Sequence, residues 1–420
     1  MKMKIRNGHV VDPANAVDTI KDIYVIDDKI AEPFDEPYDL VIDATGRYVF
    51  PGFIDAHCHL RDPGFEYRED IATGTASAAK GGFSSVACMP NTNPVCDNPA
   101  VVEYIISKAK KTARTNVFPI GAISKGLLGG ELAEIGLMSR QGIVAISDDG
   151  KPVSNPDFMR KAMLYANDFG IPVISHCEDL SLANGGQMNE GYLSTTMGIR
   201  GIPSIAEDVM VSREILLADY LGLPVHIAHV STKNSVTMIR DAKKRGIRVS
   251  CETCPHYFTL TEDACDGFNT LAKVNPPLRT PEDLDAVIEG IADGTIDMIV
   301  TDHAPHHKDE KEIEFSLANN GMIGFETAFG LSYTYLVKEK IIDIGRLISL
   351  MSVNPSDFLN LGRGDLGANN PADITIADLD SEYVFDRSDV LSKSDNTPYD
   401  GWKLSGKVIY TIVGGRIAYE

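Results

Sequence analysis

The segment "DAHCHLRDPG", residues 55–64, puts two histidines one residue apart and an arginine two residues further on. In an extended chain residues i and i+2 face the same way, so His57 and His59 offer two imidazoles to one ion. By itself the pair fits equally well two half-buried strand histidines bonded to their neighbours. Other apolar runs along the chain change that. "IVAISDDG" ends on Asp148 and Asp149, "PVISHCE" carries His176, "PVHIAHV" carries His229 and "MIVTDHAPH" carries Asp302. Four imidazoles and two carboxylates at the ends of apolar runs make the ligand set of a binuclear zinc-type site in which one carboxylate bridges.

Such residues act together only if their strands converge. Between about residues 50 and 340, eight short apolar runs alternate with amphipathic stretches, the βα pattern of a parallel sheet. Eight units predict an α/β fold, a TIM (β/α)8 barrel, whose C-terminal strand tips meet on one rim. An open doubly wound sheet is the alternative, but it would gather its ligand at one switch point instead of spreading polar residues over many strand ends. Among the helices, "SIAE" predicts a capping box between Ser204 and Glu207, and "TPED" puts Pro281 at the first helical position behind Thr280. Residues 1–50 and 363–420 read as short strands and turns with too little apolar length for separate cores. They are expected to form two halves of one small β domain, with the barrel, residues 51–362, inserted between them.

The chain of 420 residues is 43% hydrophobic and 24% charged, ordinary for a folded protein, with a formal net charge of -21. That charge argues against nucleic-acid and anionic-membrane partners, which need basic stripes, and an anionic substrate would need dedicated local cations. No run approaches the roughly 18 apolar residues of a membrane span, and the N-terminal residues lack the apolar core of a signal peptide, so a cytoplasmic protein is expected. Seven cysteines, an odd number, fit a reducing compartment better than a disulfide framework. Cys251 and Cys254 in "CETC" have the spacing of half a zinc finger, with no second pair to close it.

In order along the chain, "PGFIDAHCHLRDPG", "MPNTNP", "SDDG", "SHCE", "AHVS", "VNPPLR" and "TDHAPH" resemble the amidohydrolase superfamily and, within it, the type I dihydroorotases. The resemblance covers nearly the whole chain, including the closing "NTPYDGWKLSGKVIYTIVGGRIAYE". It implies a metal-dependent cyclic amidohydrolase that interconverts N-carbamoyl-L-aspartate and L-dihydroorotate in de novo pyrimidine biosynthesis. By matching positions it implies two zinc ions per subunit: His57 and His59 on one, His176 and His229 on the other, Asp149 bridging. Asp302 would bind the first ion and serve as the catalytic acid and base. Many relatives bridge with a carboxylated lysine, but Lys151 lies past the strand tip, and Asp148 is expected to be structural or to support a ligand.

On the substrate side, His59, Arg61, Asn91, Asn275, His306 and the backbone of Asn320 and Gly321 match family positions that hold the substrate. Arg61 offers the fork that a carboxylate accepts. Taken singly, Arg61 also fits a surface salt bridge, and the asparagines fit turns. Asp55 fits either orientation of a ligand or a buried structural hydrogen bond, and Tyr257 stands where relatives often carry histidine. The implied partners are the small-molecule substrate, a second copy in a homodimer, and aspartate transcarbamoylase. The rivals are a hydantoinase, dihydropyrimidinase or allantoinase, which typically use the lysine bridge and lack the arginine, and a non-catalytic dihydroorotase-like scaffold, which would have lost metal ligands.

Overall fold

The computed structural model describes residues 1–35 and 37–420. Five strands open the chain: β1 (Lys2–Asp12), β2 (Val17–Ile26), β3 (Lys29–Ala31), β4 (Leu40–Asp43) and β5 (Tyr48–Pro51). Gly52 alone separates them from the barrel strands β6 (Phe53–Cys58), β7 (Phe83–Cys88), β8 (Asn116–Pro119), β9 (Ile146–Ser147) and β10 (Val173–Ser175). A side ribbon of β11 (Met188–Asn189) and β12 (Gly201–Ile202) follows, and then β13 (Val225–Ile227), β14 (Val249–Thr253) and β15 (Met298–Ile299). Every residue of β6 and β7 is buried, as expected for parallel strands covered by helices on one side and core on the other.

Two parallel sheets, β6–β7–β8 and β9–β10–β13–β14–β15, become one barrel through two bridges, Gly121 with Ile146 and Cys58 with His303. Hydrogen bonds from Ser147 N to Gly121 O (2.9 Å) and from Asp302 N to His57 O (3.0 Å) close the two seams. The eight apolar runs are therefore the eight strands of a TIM barrel, and the last strand delivers Asp302 beside the first.

After the barrel come β16 (Ile374–Val384), β17 (Lys403–Val413) and β18 (Arg416–Tyr419). They join the N-terminal strands in one eight-stranded sheet, ordered β18-β17-β16-β5-β1-β2-β3, with β4 paired to β1. The halves meet where β5 runs antiparallel to β16, Val49 opposite Ile376. Met3, Ile5, Val25, Val49 and Ile374 form an apolar cluster distinct from the barrel core, so the two termini share one small core that neither could build alone. Residues 385–402, between β16 and β17, leave this sheet and lie on the barrel: Asn396 Nδ2 donates to Ala304 O (3.2 Å) and Gly321 O (3.0 Å), and the Tyr399 and Thr259 hydroxyls are 2.7 Å apart.

Both expected helix starts form, one at Ile205 directly behind Ser204 and one at Pro281 behind Thr280, but only the second is capped by side chains. Thr280 and Asp283 make a reciprocal capping box ahead of the helix Pro281–Asp293. The box expected at Ser204 does not form, because Ser204 already has helical torsions (φ -56, ψ -33) and its side chain makes no capping bond. Glu207 is buried instead, accepting from Ser231 N (3.0 Å), Thr232 N (3.2 Å) and the Ser231 hydroxyl. It ties the helix Ile205–Leu221 to the loop after β13, a use of a buried carboxylate that outweighs a cap exposed to water. Among the described residues no helix is long and apolar enough to cross a membrane.

Candidate metal centre and substrate pocket

His57 lies in β6 and His59 just past its end; Asp149 follows β9, His176 follows β10, His229 follows β13 and Asp302 follows β15. All six are buried on one rim. Asp149 is central: its Oδ1 is 3.4 Å from His57 Nε2, 3.5 Å from His176 Nδ1 and 3.6 Å from His229 Nε2, and its Oδ2 is 3.5 Å from His59 Nε2. Asp302 flanks one side, with Oδ1 3.1 Å from His59 Nε2 and 3.6 Å from His57 Nε2. The backbone at Arg61 (φ 59), His229 (φ 33) and Asp302 (φ 45) sits in the left-handed region that non-glycine residues rarely adopt, and such strain persists only where surrounding structure imposes it.

The donor set fits divalent cations. His57 Nε2 is buried and has no hydrogen-bond partner, and the two ring nitrogens of His176 and His229 that face Asp149, Nδ1 and Nε2, lie 2.8 Å from each other. Two groups of ligand atoms, His57 with His59 and Asp149, and Asp149 with His176 and His229, each gather within 4.8 Å and share Asp149. A buried nitrogen without a partner, as His57 Nε2 is, costs free energy that a bound cation would recover. Burial pushes the Asp149 carboxyl up, but His57, His176 and His229 outweigh it and hold the group well below its ordinary value. Burial opposes ionisation of Asp302 too, and the bond to His59 with the charge of His57 prevails.

Glu252, in the middle of β14, escaped the sequence pattern. Its Oε1 is 2.5 Å from His57 Nδ1 and its Oε2 is 3.1 Å from His226 Nε2, while His226 Nδ1 is 2.8 Å from Ser250 Oγ. Burial raises the Glu252 carboxyl, but His57 and His226 bring it down to about 2, so an ionised carboxylate anchors the Nδ1 side of His57 and leaves Nε2 facing the rim. A glutamate inside an apolar barrel strand was the available signal. Asn91 does the same for His59: its Oδ1 is 2.9 Å from His59 Nδ1, and its Nδ2 donates to Asp149 Oδ2 at 3.4 Å.

The ambiguous residues resolve by their contacts. Asp55 accepts from Thr301 N (3.1 Å), the Thr301 hydroxyl and His57 N (3.2 Å), which ties β6 to β15, and burial pushes its carboxyl up to about 7. Asp148 is spent on Ile123 N (2.8 Å), Ser124 N (3.0 Å) and the Ser124 hydroxyl. Lys151 is exposed. Tyr257 donates its hydroxyl to Pro276 O (2.7 Å), beside Asn275. The two thiols of "CETC" part company: Cys251 donates to Thr295 O, whereas Cys254 gathers with His256 and Asp302.

A cavity of about 280 Å³ opens above the rim, lined by His59, Arg61, Asn91, Asn275, His306, Asn320 and Gly321 together with Asp149, His176, His229 and Asp302. Arg61 is 8% exposed and bonded through Nε to Pro305 O at 3.2 Å, and among the described residues no carboxylate pairs with it. Burial and the neighbouring Arg68 push its guanidinium down to about 10, so it stays charged at neutral pH. His306 Nε2 donates to Asn320 O at 2.7 Å. Asn275 Nδ2 donates to Glu178 Oε2 at 3.2 Å, and its buried Oδ1 has no partner. Gly321 has φ +132, and a Cβ there would lie 2.7 Å from the Ala304 Cβ, so only glycine lets this wall close.

A closed (β/α)8 barrel with this rim defines a metal-dependent amidohydrolase. Residues 46–235 match the family described as dihydro-orotase-like. Over 418 residues the chain is 60% identical to the dihydroorotase of Acetivibrio thermocellus and 57% identical to that of Ruminiclostridium cellulolyticum, covering in each case 99% of this chain and 98% of the relative. The solved L-hydantoinase (dihydropyrimidinase) of Arthrobacter aurescens superposes with a TM-score of 0.90 at 25% identity, over 100% of this chain and 96% of that one. The chain belongs to the dihydroorotase family.

Proposed function

We propose that the chain catalyses the reversible cyclisation of N-carbamoyl-L-aspartate to L-dihydroorotate in de novo pyrimidine biosynthesis. The observation that carries this choice over a neutral cyclic amide is Arg61, a buried guanidinium that has no carboxylate partner among the described residues and faces the cavity of Asp149 and Asp302. An uncompensated buried charge costs on the order of 3–5 kcal/mol, which a substrate carboxylate offsets and a neutral ring does not.

On this reading His57, His59 and Asp302 would hold one zinc ion and His176 and His229 a second, with Asp149 shared between the two groups of ligands. When bound, the two cations bring the pKa of a water toward neutrality and polarise the ring carbonyl. Asp302 takes the proton of the attacking water and passes it to the leaving ring nitrogen; in the biosynthetic direction it removes the amide proton as the ring closes and returns it to the departing carboxyl oxygen, which leaves as water. Arg61 and Asn91 grip the substrate carboxylate, while His59, Asn275, His306 and the backbone of Asn320 and Gly321 fix the ring. Glu252→Ala is expected to weaken metal binding by roughly 10- to 100-fold, read by titration against a competing chelator. Unchanged affinity would show that His57 is oriented without it.

The same reading divides the chain into residues 1–50, 51–362 and 363–420 and places it in the cytoplasm, where its seven free, buried cysteines stay reduced. Ile205, Val209, Leu216 and Tyr220, 51%, 43%, 62% and 80% exposed on one side of the helix Ile205–Leu221, support a homodimer. Association with aspartate transcarbamoylase would bring the source of the carbamoyl substrate alongside. The function is tested by metal analysis together with turnover of dihydroorotate, N-carbamoyl-aspartate and hydantoin. Interconversion of the first two is expected, and activity on hydantoin alone would overturn the choice of substrate.

A further inference from the structure

Behind the pocket wall formed by Asn320 and Gly321 lie two buried lysines that the chemistry above does not use. Lys311 Nζ donates to the carbonyls of Lys273 (3.3 Å), Asn319 (2.8 Å) and Gly321 (3.0 Å). Lys273 Nζ donates to the carbonyls of Phe315 and Ala318 (each 2.7 Å) and to Gln187 Oε1 (2.6 Å). Each residue is 2% exposed, and among the described residues neither is paired with a carboxylate.

Three acceptors around one amine nitrogen use three N–H donors, which only the ammonium form possesses. A neutral amine has two and would set its lone pair against a carbonyl. The contacts therefore specify two positive charges. Burial opposes them, pushing Lys311 down to about 7, with Lys273 adding to the effect, and Lys273 down to about 8. Neutral acceptors, not a counter-charge, hold both ions. In a chain with 60 acidic and 39 Lys and Arg side chains, leaving two buried ammonium groups unpaired beneath one pocket wall runs against the overall charge balance. The wall residue Gly321 lines the cavity, and its carbonyl is the atom that Lys311 touches.

We infer that Lys311 and Lys273 form a buried dication that sets specificity for an anionic substrate: its uncompensated charge, one backbone carbonyl behind the pocket wall, adds to Arg61 in favouring a carboxylate, and its N–H bonds position the wall. The inference rests on the reading that the substrate carries a carboxylate. Neither lysine touches substrate, so both are positioning residues. A wall merely braced by neutral donors would not distinguish an anion from an uncharged ligand of the same shape. A charge would.

The test uses Lys311→Gln and Lys273→Gln, which keep N–H donors and remove the charge. The probes are orotate and its uncharged carboxamide, orotamide, as competitive inhibitors of dihydroorotate turnover. For either variant the orotate inhibition constant is expected to rise about tenfold while that for orotamide moves by less than about twofold. Equal changes for both inhibitors, or none for orotate, would overturn the inference. Should the variants not fold, the wild-type protein decides: at the pH of the turnover assay the 15N resonances of the two Nζ atoms are expected to be those of ammonium groups, and a neutral amine at either position overturns the inference. Failure of the substrate assignment looks different, since orotate would then not inhibit the wild-type protein.

Discussion

Asp302→Asn is expected to lower turnover in both directions by roughly 10²- to 10⁴-fold while the protein keeps most of its metal. The carboxylate lies 3.1 Å from His59 Nε2 and 3.6 Å from His57 Nε2, and the imidazoles around it hold it ionised despite its burial. Asparagine keeps the shape and one oxygen facing the rim, so the four imidazoles and Asp149 lose little of their geometry. What it cannot do is accept a proton and give it back. Metal content and kcat measured on the same preparation separate the two roles. Near-normal turnover would refute the proton shuttle, and metal lost in proportion to activity would make Asp302 a ligand alone.

Arg61→Met is expected to raise KM for dihydroorotate about 100-fold with a much smaller change in kcat. Methionine keeps the apolar stem and removes the fork, and loss of one partner from a buried charged pair costs roughly 2–5 kcal/mol. Because the substrate carboxylate does not react, the contact is made equally in ground and transition states, which is why KM carries the effect. Arg61 Nε also bonds Pro305 O, so some of the loss comes through the loop that carries His306. Steady-state kinetics with dihydroorotate decide the matter, and an unchanged KM would remove Arg61 from carboxylate binding and with it the main reason for preferring this substrate to hydantoin.

The barrel itself does not make that choice. The hydantoinase of Arthrobacter aurescens shares the architecture at a TM-score of 0.90 with 25% identity. Function on such a scaffold resides in the side chains at the strand tips and in the loops that close over them. Asp149 among the four imidazoles and Arg61 past β6 are therefore more informative about the substrate than any feature of the sheet.

Much of this was legible along the chain, because alternation within strands and polar residues at strand ends are local patterns. His57 and His59 share a face by simple parity, Thr280 and Asp283 cap their helix across three residues, and eight apolar runs suffice to count the strands. The failures are equally physical. Glu207 looked like half of a capping box, but its partner Ser231 lies 24 residues away and wins because both groups are buried. Glu252 meets His57 across 195 residues, and Asn396 meets Gly321 across 75. Lys311 and Lys273 gave no sign in sequence that they would be enclosed among carbonyls.

The sequence alone thus determined the strand count, the barrel class and the side chains available to a metal and a carboxylate. Tertiary structure decided the rest: that β15 closes against β6 so that Asp302 reaches His59, that β5 meets β16 so that the termini share a core, and which buried group each polar side chain meets. The physical reason is that desolvation makes a polar match compulsory only once both partners are inside, and which groups come inside together depends on segments far apart in the chain.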